Sequence, residues 1–258
     1  MIKAFKKNWP VYFIEAWGLG TFMISAVLFT IIVEHPDLPV RQSFDGSPML
    51  RRLFIGVAMG LTAIGIIYSP WGKKSGAHLN PAVTLSFMRL KKISNQDAFF
   101  YIMFQFIGGY LGVLLFKVLL YSYTSSTWVN YAVTIPGPLG WFGAMLLEAL
   151  LAFTLFMTIL FASNNQKFAS LTGVFAGIWL AIFITFEAPF SGMSINPART
   201  VASALPANIW THVWIYFASP VAGMLLAAEV YKNFCHKSSA VLKCHMSGNK
   251  HNCNTYKD

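Results

Sequence analysis

Ser75-Gly76-Ala77-His78-Leu79-Asn80-Pro81-Ala82-Val83-Thr84 and Ser191-Gly192-Met193-Ser194-Ile195-Asn196-Pro197-Ala198-Arg199 share one pattern, Ser-Gly-x-x-x-Asn-Pro-Ala. Asn is a preferred helix cap and Pro a preferred first-turn residue, so each triplet opens a helix. The apolar runs that follow, Pro81–Met88 and Pro197–Leu205, are short. At about 1.5 Å per residue each reaches only ~12–14 Å, well under the ~30 Å of a hydrocarbon core. Two of them meeting N-terminus to N-terminus would cover most of that thickness. Opposed helix N-termini inside a bilayer make a polar, electropositive spot that a lipid-facing structure does not tolerate. A polar path or binding site is implied there.

The bilayer itself is read from composition. The chain has 258 residues, 56% hydrophobic and only 11% charged, with a mean hydropathy of +0.56, which is the profile of a bundle of membrane helices. Stretches long enough to cross lie at 10–33, 52–70, 98–121, 138–162, 170–187 and 210–232. Six crossings put both termini on one side. The formal charge of +10 does not point to nucleic acid, because its distribution follows the spans. Lys3, Lys6, Lys7, Lys73, Lys74, Arg89, Lys91, Lys92, Lys167, Lys232, Lys237, Lys243, Lys250 and Lys257 fall on one side, against Arg41, Arg51, Arg52 and Arg199 on the other. That bias places both termini in the cytoplasm. The first stretch is too long for a signal-peptide core and is expected to stay in the mature protein. Cys235, Cys244 and Cys253 sit in the cytoplasmic tail, where thiols stay reduced, so no disulfide framework is expected.

The chain repeats itself. Glu15-Ala16 precedes Thr21 as Glu148-Ala149 precedes Thr154, and Gly56-x-x-x-Gly60 in span two matches Gly173-x-x-x-Gly177 in span five. With three spans per half, the second copy is inverted relative to the first, an arrangement that places a shared site near the midplane at broken helices. These glycine pairs, with Gly108, Gly109 and Gly112 in span three, read as faces for close helix packing. The expected fold is an all-α membrane protein of six transmembrane helices plus two re-entrant half-helices, in an inverted repeat. Residues 1–8 are read as a cytoplasmic N-terminus, 9–121 as repeat one, 122–137 as an extracellular connection, 138–232 as repeat two, and 233–258 as a disordered cytoplasmic tail.

On the two quoted stretches the chain resembles the aquaporin family, the major intrinsic proteins. One Asn-Pro-Ala is a weak signal; two at matching places of inverted repeats, the second followed by Arg199, are specific. The resemblance covers residues from about 9 to 232. It implies a right-handed bundle and a homotetramer in the plasma membrane, in which each subunit passively passes water or small neutral solutes and excludes protons and ions. It needs no cofactor or metal. Asn80 and Asn196, with Pro81, Ala82, Pro197 and Ala198, would set the pore centre, their amides donating to solute oxygens. Carbonyls of Gly76, Ala77, His78 and Leu79, and of Gly192, Met193, Ser194 and Ile195, would form an acceptor ladder. Half-helix N-termini and Arg199 would oppose cations, and Glu15 and Glu148 would brace the loops by accepting backbone N–H bonds.

The family's narrow filter falls here on Ile184, Met193, Arg199 and one residue of span two. Matching Met59-Gly60-Leu61 to the family's aromatic-Gly-Leu gives Met59; counting back from Asn80 gives Gly60, and repeat symmetry favours Met59. Strict water pores of the family usually carry an aromatic in span two and His in span five, so this apolar filter, flexible at methionine, departs from them. Thr200, Ala204 and Tyr216-Phe217 instead follow the water-type pattern. The reading is a water channel, with a glycerol or small-solute facilitator as the alternative. Met193 replaces a Cys that confers mercury sensitivity in some members, so resistance to mercurials is expected. His78 is expected to pack the loop, with a pH gate as the alternative. Cys235, His236, Cys244, His245, His251 and Cys253 fit no common zinc-finger spacing. An ion-coupled transporter also uses broken helices but would carry a titratable group beside its substrate; a closed structural protein would conduct nothing; and no nucleophile–base pair within the spans points to an enzyme.

Overall fold

The computed structural model describes residues 1–235, with side chains through Asn233. Eight principal helices form it. Four are long: α1 (Ile2–Glu34), α2 (Pro48–Tyr68), α4 (Asn95–Leu119) and α5 (Gly140–Ser163). The helical run α6 (Ala169–Ser191) contains a π turn at Phe183–Glu187. These five are long and apolar enough to cross a membrane. The sixth crossing, α8 (Ile215–Val230), is a 16-residue α-helix that continues as the π turn Tyr231–Cys235. The half-helices are α3 (Pro81–Arg89) and α7 (Pro197–Ala207). The cysteine- and histidine-bearing segment from 236 onward, with the expected disorder and the zinc question, lies outside the described residues.

The outer face is apolar, and polar and charged groups lie inside beside the apolar clusters around Phe156 and Val27. Glu15, Gln105, Thr84, Glu148 and Ser203 are fully buried, whereas Leu111, Leu115, Phe142, Leu150, Ile178 and Phe186 are exposed. Hydrocarbon outside makes the apolar outer face favourable, and the buried polar groups need hydrogen-bond partners within the protein.

Glycines bring the helices together. A Cβ on Gly108 of α4 would lie 2.0 Å from the Ala16 carbonyl oxygen of α1, and one on Gly223 of α8 would lie 2.2 Å from that of Ala149 in α5. The pairs α1/α4 and α5/α8 are therefore equivalent, first span against third in one repeat and first against third in the other. The repeats join where α2 meets α6: a Cβ on Gly60 would lie 2.5 Å from the Gly177 oxygen. The half-helices complete the interlock, α3 packing on α8 and α7 on α4, each against the other repeat's third helix.

Two starts differ most from the expected spans, the other boundaries shifting by up to four residues. α1 starts at Ile2 rather than near residue 10. Asp97 explains this: it belongs to a capping pair with Ser94 at the start of α4, and it also accepts hydrogen bonds from Asn8 (2.9 Å) and Tyr12 (2.6 Å) of α1. The last span starts at Ile215 rather than 210, because Asn208 ends α7 in a left-handed conformation (φ 53°) and the following residues turn before α8.

Candidate functional site: a passage between two latched loops

Each Asn-Pro-Ala asparagine does two things. Its side-chain oxygen caps its own half-helix: Asn80 Oδ1 accepts from the Ala82 amide at 2.8 Å, and Asn196 Oδ1 from those of Ala198 (3.1 Å) and Arg199 (3.2 Å). Its side-chain nitrogen donates to the opposite loop, Asn80 Nδ2 to the Ile195 carbonyl at 2.7 Å and Asn196 Nδ2 to the Leu79 carbonyl at 2.8 Å. The two N-termini thus face each other across a reciprocal pair of bonds. Pro81, Ala82, Pro197 and Ala198 are buried at the helix starts.

The loops that deliver these asparagines have matching backbones. Gly76 and Gly192 are left-handed (φ 89° and 85°), as are Ala77 and Met193 (47° and 48°) and Leu79 and Ile195 (51° and 45°). Such a conformation at a non-glycine residue costs on the order of 1–3 kcal/mol and persists only where the surroundings fix it. The buried glutamates supply the fixing. Glu15 accepts from Ser75 Oγ (2.8 Å), the His78 and Leu79 amides (3.1 and 2.7 Å) and Gln105 Nε2 (2.8 Å). Glu148 accepts from Ser191 Oγ (2.8 Å) and the Ser194 and Ile195 amides (2.7 and 2.6 Å). Tyr101 and Tyr216 hold the loop starts from α4 and α8, donating to the Ser75 and Ser191 carbonyls at 2.8 and 2.6 Å. Within the loops, His78 Nδ1 pairs with Thr84 Oγ1 at 3.0 Å while its ring stacks on Phe87, and Ser194 bonds Thr200 at the corresponding place.

A cavity of about 1090 Å³ runs past these loops, from Glu34, Arg52 and Trp128 at one end to Tyr68, Lys73 and Asn164 at the other. Gly76 to Asn80 and Gly192 to Asn196 line it, as do Met59, Ile184 and Arg199. Gly60 does not; it lies against Gly177 on the helix interface. Glu15 and Glu148 stand behind the loops, and Thr200, Ala204 and Tyr216 are likewise outside the lining. The Arg199 guanidinium donates to Thr134 Oγ1 at 3.1 Å and makes no ion pair among the described residues.

Several of these contributors go unread in the sequence. Thr134 belongs to the connection between repeats, which lines the cavity through Trp128, Val129, Ala132, Val133, Ile135, Pro136 and Gly137; no spacing marks that connection as part of the wall. Gln105 has no visible signal either. Ser75 and Ser191 do, since each opens the repeated motif, and Tyr101 and Tyr216 stand at equivalent places of the third spans. Glu187, in the π turn, is buried, and neither carboxylate oxygen has a hydrogen-bond partner among the described residues.

Known proteins resemble this chain in sequence and in fold. Aquaporin NIP2-2 of Zea mays is 34% identical over 192 residues, 74% of this chain and 63% of its own, so the match spans less than two thirds of that relative. Probable aquaporin AqpM of Archaeoglobus fulgidus is 33% identical over 193 residues, 70% of this chain and 78% of its own. The X-ray structure of the aquaglyceroporin from Plasmodium falciparum superposes with a TM-score of 0.73 at 18% identity, covering 88% of this chain and 96% of that one, a likeness of fold. The model of the major intrinsic protein family matches residues 11–231, which takes in all six crossings and both latched loops: this chain is an integral, multi-pass membrane protein of the major intrinsic protein family.

Proposed function

We propose that the chain is a passive channel for water and small neutral solutes that excludes protons and ions. The observation that carries this reading is the reciprocal asparagine latch set in the wall of a continuous cavity. Each amide nitrogen has two hydrogens and uses one across the latch. The other is available to a passing oxygen, where two half-helix N-termini also converge. A molecule there accepts hydrogen bonds from both sides, and along Gly76–Leu79 and Gly192–Ile195 it donates to carbonyls. Cations meet the positive ends of two helices, each roughly half a charge, and then Arg199. No carboxylate lines the passage between Glu34 and its other end among the described residues, which suits a channel better than an ion-coupled carrier.

Met59, Ile184, Met193 and Arg199 form the selectivity filter in this reading, with Met59 as the span-two member because it lines the cavity and Gly60 does not. Three apolar side chains and one guanidinium offer few hydrogen bonds, so water loses some hydration there while a small solute with an apolar face is tolerated. The positive-inside bias supports cytoplasmic termini, which makes the Lys73 end of the cavity the inner mouth. The resemblance supports a homotetramer with one passage per subunit.

Reconstitution tests the reading. Stopped-flow shrinking of proteoliposomes under an impermeant osmolyte should be fast, with a low activation energy. Glycerol re-entry then separates a strict water channel from a broader facilitator. Shrinking no faster than that of protein-free liposomes would refute conduction.

A further inference from the structure

One filter position sits on an irregular stretch of helix. Ile184, which lines the cavity, lies in the π turn Phe183–Glu187 of α6. Pro189 accounts for the irregularity. In a regular α-helix the Thr185 carbonyl would accept from the amide of residue 189, but proline has no N–H and its ring clashes with that carbonyl. Widening the turn relieves the clash and directs the carbonyl outward. Arg52 of α2 receives it there: its Nε donates to the Thr185 oxygen at 3.0 Å, across 133 positions of sequence. The surroundings are fitted to this contact. Thr185 is buried, and its hydroxyl donates back to the Ala181 carbonyl at 2.6 Å, a kind of bond that bends helices. Gly56, one turn beyond Arg52 on the same face of α2, leaves room for it: a Cβ there would lie 2.6 Å from the Ala181 oxygen and 2.9 Å from Thr185 Oγ1. Past the turn, Glu148 fastens Ser191 and the amides of Ser194 and Ile195, so slack in the π turn is felt at Ile184 and not in the loop. Arg52 lines the outer part of the cavity but makes no ion pair among the described residues.

We propose that Arg52 is a positioning residue for solute selection: by donating Nε to the Thr185 carbonyl, it holds the π turn in the form that presents Ile184 to the passage. The donor at Nε is the operative feature, not the charge. Without that donor the carbonyl is left to water and the turn loosens, one hydrogen bond being worth roughly two- to tenfold in the balance of conformations. Ile184 then spends part of its time turned off the passage, and the constriction widens for a solute larger than water. Selection rests on the channel reading with Ile184 in its filter; the orientation of Ile184 does not, so each has its own measurement.

Glutamine places its Nε2 as many bonds from the backbone as arginine places Nε, without the charge, whereas methionine offers no donor. In proteoliposomes Arg52→Met should raise the ratio of glycerol to water permeability by about twofold or more, and Arg52→Gln should keep the native ratio. Arg52→Gln behaving like Arg52→Met, or neither differing from the native chain, overturns the proposal. The orientation is read by the rate at which neutral methyl methanethiosulfonate labels Ile184→Cys in a chain carrying Cys235→Ser, Cys244→Ser and Cys253→Ser. The reagent needs a thiolate, which forms where water reaches. Adding Arg52→Met should slow labelling by about twofold or more, and adding Arg52→Gln should not; equal rates in both also overturn the proposal. If Arg52→Met does not fold, Pro189→Ala takes its place. Residue 189 then has an N–H for the Thr185 carbonyl, and the same slower labelling and higher ratio are expected with Arg52 present; native values of both would be fatal to the argument. A native chain that passes neither solute would sink the channel reading alone, and the labelling rates would still decide what Arg52 holds.

Discussion

Glu148→Gln and Glu187→Gln make the same chemical change at two buried carboxylates, and the structure predicts opposite outcomes. Glu148 faces three donors: Oε1 takes Ser191 Oγ and the Ser194 amide, and Oε2 takes the Ile195 amide. A glutamine brings one acceptor oxygen and an NH2 group that is itself a donor. Rotated to keep the first two bonds, it leaves the Ile195 N–H unpaired and facing another donor. A buried polar group stranded in this way costs about 1–3 kcal/mol. The loss falls on a loop whose left-handed Met193 and Ile195 need external restraint, so the carbonyl wall and the Asn196 latch should loosen with it. Glu187 has no hydrogen-bond partner to lose among the described residues, and neutralising it removes an unpaired buried carboxylate, a change that is neutral or stabilising. Thermal unfolding of the solubilised protein, followed through its 8 tryptophans, should show Glu148→Gln melting well below the native chain and Glu187→Gln at or above it. Stopped-flow water permeability per folded channel should fall only in the first. If the two variants melt together, or Glu187→Gln is the weaker protein, the bracing argument is wrong.

Four further outcomes are expected. Mercuric chloride should leave water flux of the native chain unchanged, while Met193→Cys should become inhibitable and recover with excess thiol, since Met193 lines the passage. Met59→Ala should raise glycerol entry more than water flux, measured by the paired osmotic assays; an equal rise would place the constriction elsewhere. Gly108→Ala puts a methyl 2.0 Å from the Ala16 oxygen and should destabilise by at least the ~1–3 kcal/mol of an overpacked core, whereas Gly65→Ala, with nothing within 4 Å, should melt with the native protein. Arg199→Val should admit protons, read as faster collapse of a pH gradient in dye-loaded vesicles; an unchanged gradient would leave exclusion to the helix termini alone.

The centre of the molecule was legible because its signals are chemical and come twice. Asn-Pro-Ala says helix start wherever it stands, and its duplication in inverted halves implies that the two starts meet. Glu15 and Glu148 were legible as a pair from their equal offsets to Thr21 and Thr154. What escaped depends on three-dimensional register. Ala77, Leu79, Met193 and Ile195 are poor left-handed residues and give no local hint of the conformation that the glutamates enforce. Met59 and Gly60 are adjacent on a helix, so a single-residue uncertainty in alignment turns one toward the passage and the other toward Gly177. Thr134 reaches Arg199 from 65 residues away, along a connection with no periodicity to read. The helical onset at Ile2 depends on Asp97 in a different helix.

The asparagine latch also bears on how the protein is made. Asn80 bonds to a carbonyl 115 residues later in the chain, and Asn196 to one 117 residues earlier. As the ribosome delivers the chain, the first re-entrant segment has Glu15 behind it and Ser75 beside it, but the group that secures its tip has not yet been translated. It must wait, only partly fastened, while three more crossings are threaded. Closure over so long an interval is slow and leaves an intermediate exposed. A substitution at Ile195 or Asn196 can therefore lower yield by stranding the first half during biosynthesis, before any finished channel exists to be impaired.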